Sequence, residues 1–408
     1  MALSDKVKGP LKAVKKGPLW KGPEGDGPNG GVTQSFVSRF LVCRERFRLH
    51  AIEGLVPSAG WDHRMGYGNM WHVCEEAWAG HDAVASNGQA AKALADNFWK
   101  ARLQDHAAEQ CKLFPMDRRK IEHWWNVCRV QFPIYLDHWA KHPEPGERTQ
   151  LLQERAFDVP YKLPSGRMVR LRGKWDGVCL KDDGVWLDEH KTKGDVDEAR
   201  IMRQLSFDLQ AMLYLTALKV ASSSELARKG WSNEVHGRGL TDVNLHGHPI
   251  TGVRYNVVRR PLSGGKGTIV QHKATKNKRA ETDEEFYSRL GQYIKDDPGH
   301  FFMRFDYLVS DKDVERFRRE CLDPILEQMC DWYDSISENP FGPWMTSKYT
   351  ARGGPFPEQV PNKLHWRHPY GVWNSLNEGG FGDVDAFMED GSLAGLRRTD
   401  ELFPELKK

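Results

Sequence analysis

From Arg172 to Lys191 the chain reads Arg-Gly-Lys-Trp-Asp-Gly-Val-Cys-Leu-Lys-Asp-Asp-Gly-Val-Trp-Leu-Asp-Glu-His-Lys. The residues in it with chemical potential are Asp176, Glu189 and Lys191. The segment reads as two short strands joined by a glycine-containing turn, the first ending in Asp176 and the second in Glu189-His190-Lys191. Side chains alternate across a strand, so Glu189 and Lys191 emerge on one face, where an acid from the neighbouring strand can meet them. Two converging carboxylates repel unless a positive group sits between them, and a hard divalent cation with oxygen ligands answers that need. A lysine beside such a cation suits attack of water on a phosphodiester. Lys191 would either orient the attacking water or offset the charge that builds in the transition state. Its pKa is under opposing pressures, which the sequence does not resolve.

The elements that must position these residues can be read around them. Tyr161 to Leu171, broken at Leu163-Pro-Ser-Gly166, supplies more strand, so the segment is a β-meander. A helix is expected from about Arg200 to Val220, with Gln210 and Tyr214 one turn apart on one face. Upstream, the pattern is helical over Ser35–Leu49, Gly68–Trp78, Asn87–His106 and Asp117–Lys141. Gly68, His72 and Glu76 share a face of the second of these. Thr251–Arg259 reads as a strand closing the sheet. A helix begins near Thr282, where Glu285 completes a capping box, and runs to Lys295. Another spans Asp311–Ile336, kinked or broken at Pro324. Glu154, on the strand before the meander, is a candidate for a further carboxylate beyond the direct ligands.

The chain has 408 residues, enough for a large core and two or three subdomains. Residues 1–31, with Lys-Gly-Pro at 8–10, 16–18 and 21–23, are too poor in apolar side chains to fold alone and read as a mobile basic tail. A helical part follows over 32–150, a strand-rich core over 151–260, and a helical and irregular extension over 261–408. The expected class is α/β: a mixed central sheet flanked by helices, with a helical N-terminal part and a C-terminal extension. The net charge of +3 is too mild to argue for nucleic acid by itself. Basic residues that could grip a phosphate backbone are local: Arg167, Arg170, Arg172 and Lys174, and the run Lys273–Arg279. No apolar stretch approaches a bilayer span and no signal-peptide core is evident. Seven scattered cysteines fit a reducing compartment, so a cytoplasmic location is expected. Ser263-Gly-Gly-Lys-Gly-Thr268 lacks the spacing of a phosphate loop.

Asp176 with Glu189-His190-Lys191 resembles the signature of the PD-(D/E)XK nuclease superfamily. Two further motifs resemble its RecB-like branch, which includes the CRISPR-associated RecB-like nucleases: Gln210-Ala-Met-Leu-Tyr214, and the upstream Gly68-Asn-Met-Trp-His72. Ser35 to Phe47 is similar to the family's first helix. The departure is Trp175, which stands where a proline is usual.

The resemblance implies a restriction-endonuclease-like core and metal-dependent hydrolysis of DNA. It implies His72, Asp176, Glu189 and the backbone carbonyl of His190 as ligands of Mg²⁺ or Mn²⁺, leaving the His190 ring on the opposite face. Lys191, Gln210 and Tyr214 would complete the catalytic set; separately, Glu76, on the same helix face as His72, is a candidate partner for its ring. Relatives with the Gln-x-x-x-Tyr motif commonly process DNA ends, so an exonuclease acting on linear duplex or single-stranded DNA is expected. Its setting would be recombination, repair or phage DNA processing, with a single-strand annealing or recombination protein as partner. Spacer processing in a CRISPR system, or a non-catalytic DNA-binding subunit with a relict site, are the alternatives. Many RecB-like relatives carry an iron–sulfur cluster on one early and three late cysteines. Here Cys43 stands at the early position but only Cys321 and Cys330 follow the Gln210–Tyr214 motif, so no cluster is expected. His365 and His368 have no zinc-site spacing with cysteine.

Overall fold

A computed structural model describes residues 18–42, 44–57, 60–82, 89–143, 148–205, 208–223, 231–235, 238–243, 248–261, 269–276, 278–338 and 396–406. Cys43, Ser263 to Thr268, His365 and His368 lie outside them. The chain divides into two compact units, one of residues 1–59, 158–173 and 319–408, the other of 60–157 and 174–318.

The second unit carries the chemistry-bearing residues. Its helices are α3 (His63–Asp82), α4 (Gln89–Leu113), α5 (Arg118–Lys141), α6 (Glu198–Leu205), α7 (Leu209–Ser223), α8 (Asp283–Asp296) and α9 (Asp311–Phe317). The strands of the main sheet are β2 (Arg148–Lys162), β3 (Met168–Lys181), β4 (Gly184–Lys193), β7 (Ile250–Arg259) and β8 (Phe302–Leu308). A separate antiparallel pair is formed by β5 (Trp231–Val235) and β6 (Arg238–Val243).

The order in the main sheet is β2-β3-β4-β7-β8. β3 and β4 are antiparallel with Gly177 opposite Asp188, β4 and β7 are parallel with Glu189 opposite Tyr255, and β7 and β8 are antiparallel with Tyr255 opposite Phe305. A parallel neighbour requires a crossover, and α6 and α7 lie within the one from β4 to β7. This is a mixed five-stranded sheet flanked by helices, as expected.

Two readings of the sequence need correction here. Thr251–Arg259 does not close the sheet, because β8 pairs outside it. Phe302–Leu308 is short, and only Phe302 and Phe305 are buried, so its periodic signal is weak. The helix expected over 200–220 is two helices. Asp208 accepts a hydrogen bond from the Ala211 amide (2.9 Å) and so caps α7, which places Gln210 in its first turn.

Tryptophan abundance is largely packing. Trp71 and Trp99 are fully buried and both meet Phe132, while Trp71 also makes an edge contact with Tyr135. Among the described residues no helix is long and apolar enough to cross a membrane.

The first unit holds α1 (Gln34–Val42), α2 (Arg44–Ala51), β1 (Leu55–Pro57), α10 (Asp323–Glu338) and β9 (Leu396–Arg398). β1 pairs antiparallel with β9. Residues 18–31 are not a free tail. Trp20 is fully buried, its indole donates to the Gly31 carbonyl (2.8 Å), and its ring makes edge contacts with Phe36 and Phe47. One large aromatic anchors a segment whose average composition is polar. Gly31 has φ +83°, and a Cβ there would lie 2.7 Å from Arg172, so this turn needs glycine.

Candidate metal centre

β3 and β4 bring the acids together through their register. Gly177 faces Asp188, so the next residues outward, Asp176 and Glu189, oppose each other on one sheet face. The His190 amide donates to Asp176 Oδ2 (2.9 Å), fixing that carboxylate. α3 delivers His72, whose Nδ1 lies 2.7 Å from Glu154 Oε1 and 3.9 Å from Asp176 Oδ1. Ligand atoms of His72, Glu154 and Asp176 all lie within 4.8 Å of one another. Two carboxylates and an imidazole gathered so closely suit a divalent cation.

Glu189 is fully buried, and its Oε1 has no hydrogen-bond partner among the described residues. Its Oε2 accepts from Lys191 Nζ at 2.6 Å, and that ammonium also donates to Gln210 Oε1 at 3.1 Å. A buried carboxylate oxygen with nothing to accept from is costly unless a cation joins it. The donor set therefore fits a hard metal ion.

The electrostatics follow from burial against neighbouring charge. Burial pushes the Glu189 carboxyl up to about 8; Asp176 adds to the rise and Lys191 opposes it. Burial also opposes the His72 imidazolium, but Asp176 and Glu154 outweigh it and hold that pKa at about 9. For Glu154, burial is overcome by His72 and Lys174, and the pKa falls to about 2. Lys191 loses solvation too, yet Glu189 and Asp176 hold it above the ordinary lysine value. Of the opposing pressures on Lys191, the neighbouring carboxylates outweigh burial and favour the ammonium form.

The other anticipated residues fall as follows. The His190 ring lies on the opposite face, 3.0 Å from Asn256 Nδ2 and 3.6 Å from Glu75. Gln210 holds Lys191. Tyr214 is 9% exposed; its ring makes an edge contact with Phe157, and its backbone carbonyl accepts from the Trp175 indole (3.2 Å). It anchors α7 against β3, with its hydroxyl near the backbone of Lys174 and the amide of Gln210. Trp175, where proline is usual, is buried and stacked on Phe157.

Two residues enter differently from the reading above. Glu154 bonds the His72 ring through Nδ1, and its carboxylate joins the candidate metal cluster itself. Glu154 has φ +47°, a left-handed conformation rare for a side chain of this kind. The strand's alternation breaks there, so period-2 reasoning could not aim this carboxylate. Lys174, two residues before Asp176, pairs with Glu154 Oε2 at 2.6 Å. Only the sharing of a strand face by Lys174 and Asp176 hinted at that.

A search of curated proteins finds no match to this chain. The sequence model of the PD-(D/E)XK nuclease superfamily matches residues 32–321, a span that contains every residue of the cluster. The chain belongs to the PD-(D/E)XK nuclease superfamily, whose members are metal-dependent nucleases.

Proposed function

We propose that this protein is a Mg²⁺- or Mn²⁺-dependent deoxyribonuclease of the RecB-like type, hydrolysing phosphodiesters at DNA ends. The observation that carries the reading is the meeting of His72, Glu154 and Asp176 beside buried Glu189. These four side chains and the backbone carbonyl of His190 would hold the cation. When bound, the cation acts as a Lewis acid on the phosphate and makes hydroxide available near neutral pH. Lys191, held as an ammonium by Glu189, offsets negative charge that grows on the phosphate in the transition state. Gln210 fixes the direction of that ammonium, and Tyr214 locks the first turns of α7 where Gln210 sits. His72 and Lys174 both pair with Glu154 and favour its carboxylate form. Preference for ends rests on the likeness of Gln210 and Tyr214 to the motif of end-processing relatives. A nuclease of this kind serves recombination, repair or phage DNA processing, with a single-strand annealing protein as its natural partner.

The test uses end-labelled linear duplex, end-labelled single strands and a closed circle, each with Mg²⁺, Mn²⁺ or EDTA. Metal-dependent loss of linear DNA that spares the circle, and that disappears in Asp176→Ala, is expected. Cutting of the circle at a comparable rate would overturn the exonuclease assignment. Equal activity of Asp176→Ala would overturn the site.

A further inference from the structure

Side chains on the sheet face opposite Glu189 and Lys191 should be apolar, because helices cover that face. Three strands depart from this at two successive levels. The register sets His190 beside Asn256 and Asn256 beside Arg304; one level away Asp188 stands beside Arg254 and Arg254 beside Asp306. Asp188, His190, Arg254 and Asn256 are all buried. They border a cavity of about 690 Å³ whose opposite wall comes from α3, with Glu75 and Trp78, and α5, with Tyr135 and Trp139.

Part of this polarity is internally matched. Arg148 pairs with Asp188 at 2.5 Å, Arg254 forks onto Asp306 at 2.7 and 2.6 Å, and the Arg304 guanidinium lies 3.7 Å over the Trp139 ring. Several buried polar atoms of the walls have no hydrogen-bond partner among the described residues. Asp188 Oδ1 and Asn256 Oδ1 can accept, while Gln153 Nε2 and Trp139 Nε1 can donate. Asp188, Asn256 and Gln153 are 2%, 3% and 7% exposed, so bulk water does not serve them freely. Arg148 and Arg254 are paired with Asp188 and Asp306, and Glu75 adds a further carboxylate to the walls, which disfavours a bare anion there. Unmatched donors and acceptors beside indole planes instead suit a flat heterocycle that both donates and accepts. The volume is ample for one such ring with its sugar.

We propose that this cavity binds the nucleoside portion of a mononucleotide, at a site distinct from the metal cluster and on the other face of the sheet. The choice of a nucleotide over other flat heterocycles rests on the nuclease reading above.

The test is equilibrium dialysis of the full chain in EDTA with the four deoxynucleoside monophosphates, the matching deoxynucleosides and inorganic phosphate. EDTA removes cleavage and metal-held phosphate from the measurement, so binding can stand or fall independently of nuclease activity. Saturable binding of at least one deoxynucleotide is expected at one site, with its nucleoside binding within about threefold and inorganic phosphate not competing. Arg304→Ala and the milder Trp139→Phe should each weaken it about tenfold, while Asp176→Ala leaves it unchanged. A thermal melt establishes that each variant is folded, and Trp139→Phe keeps the ring if Arg304→Ala is unstable. Absence of saturable binding, binding lost only in Asp176→Ala, or phosphate binding as tightly as the nucleotide would each overturn the proposal.

Discussion

Glu189 and His72 both keep a proton in the folded, metal-free protein over a range where the unfolded chain has released it. The Glu189 value rises from 4.5 to about 8 and the His72 value from 6.5 to about 9. Where the folded state binds more protons, stability falls as pH rises, so these groups destabilise the metal-free protein progressively between those limits. Glu154 acts at the other end: with its value lowered from 4.5 to about 2, its contribution is present above 4.5 and lost as pH falls through that window. Thermal melts in EDTA should therefore show a lower melting temperature at about pH 9 than at about pH 6, and Mg²⁺ should raise it more at the higher pH. A flat EDTA profile would contradict the assignment. Lys191→Ala should lower cleavage about 10²- to 10³-fold while Mn²⁺ binding persists, because its charge acts on the phosphate. Glu154→Gln should instead weaken Mn²⁺ binding about 10- to 100-fold, measured by titration without DNA. The convergence of Glu189 and Lys191 was legible because strand alternation alone puts the two on one face, and the β3–β4 register brings Asp176 opposite Glu189. Glu154 was not aimed correctly, since its left-handed backbone is a tertiary outcome.

The helix and strand contexts explain which elements were readable and which were not. The Thr282–Glu285 capping box forms as expected, with both reciprocal hydrogen bonds in place at the start of α8. Its determinants are four residues apart or fewer, so local sequence suffices. Thr282→Ala should cost about 1 kcal/mol in chemical denaturation. The break between α6 and α7 was missed because a uniformly helix-forming composition conceals one capping aspartate. β8 was missed because an edge strand with two buried residues lacks alternation over a useful length. A different constraint sits on β7. A Cβ on Gly252 would lie 2.5 Å from the Tyr307 carbonyl and 2.7 Å from the Trp186 ring. Gly252→Ala should thus destabilise by about 1–3 kcal/mol, whereas a change of less than a few tenths would show that the neighbours yield freely.

At the scale of the whole chain, 59 basic and 56 acidic residues leave little net attraction for DNA. On the proposed reading, affinity would come from local groups, for which the Lys273–Arg279 run and the cation are the candidates. Strand order and the pairing of β1 with β9 depend on contacts between distant segments, which local pattern does not encode. The buried Trp20 that draws residues 18–31 into the first unit is likewise invisible to average composition. The central claim is that one cation held by His72, Glu154, Asp176 and Glu189 makes this chain a nuclease. Its most direct test pairs Mn²⁺ binding, followed by electron paramagnetic resonance, with cleavage of linear DNA on the same preparations of wild type and Asp176→Asn. The expected result is metal bound and DNA degraded by wild type, with both lost together in the variant while its fold persists. Undiminished Mn²⁺ binding and cleavage in Asp176→Asn would contradict it.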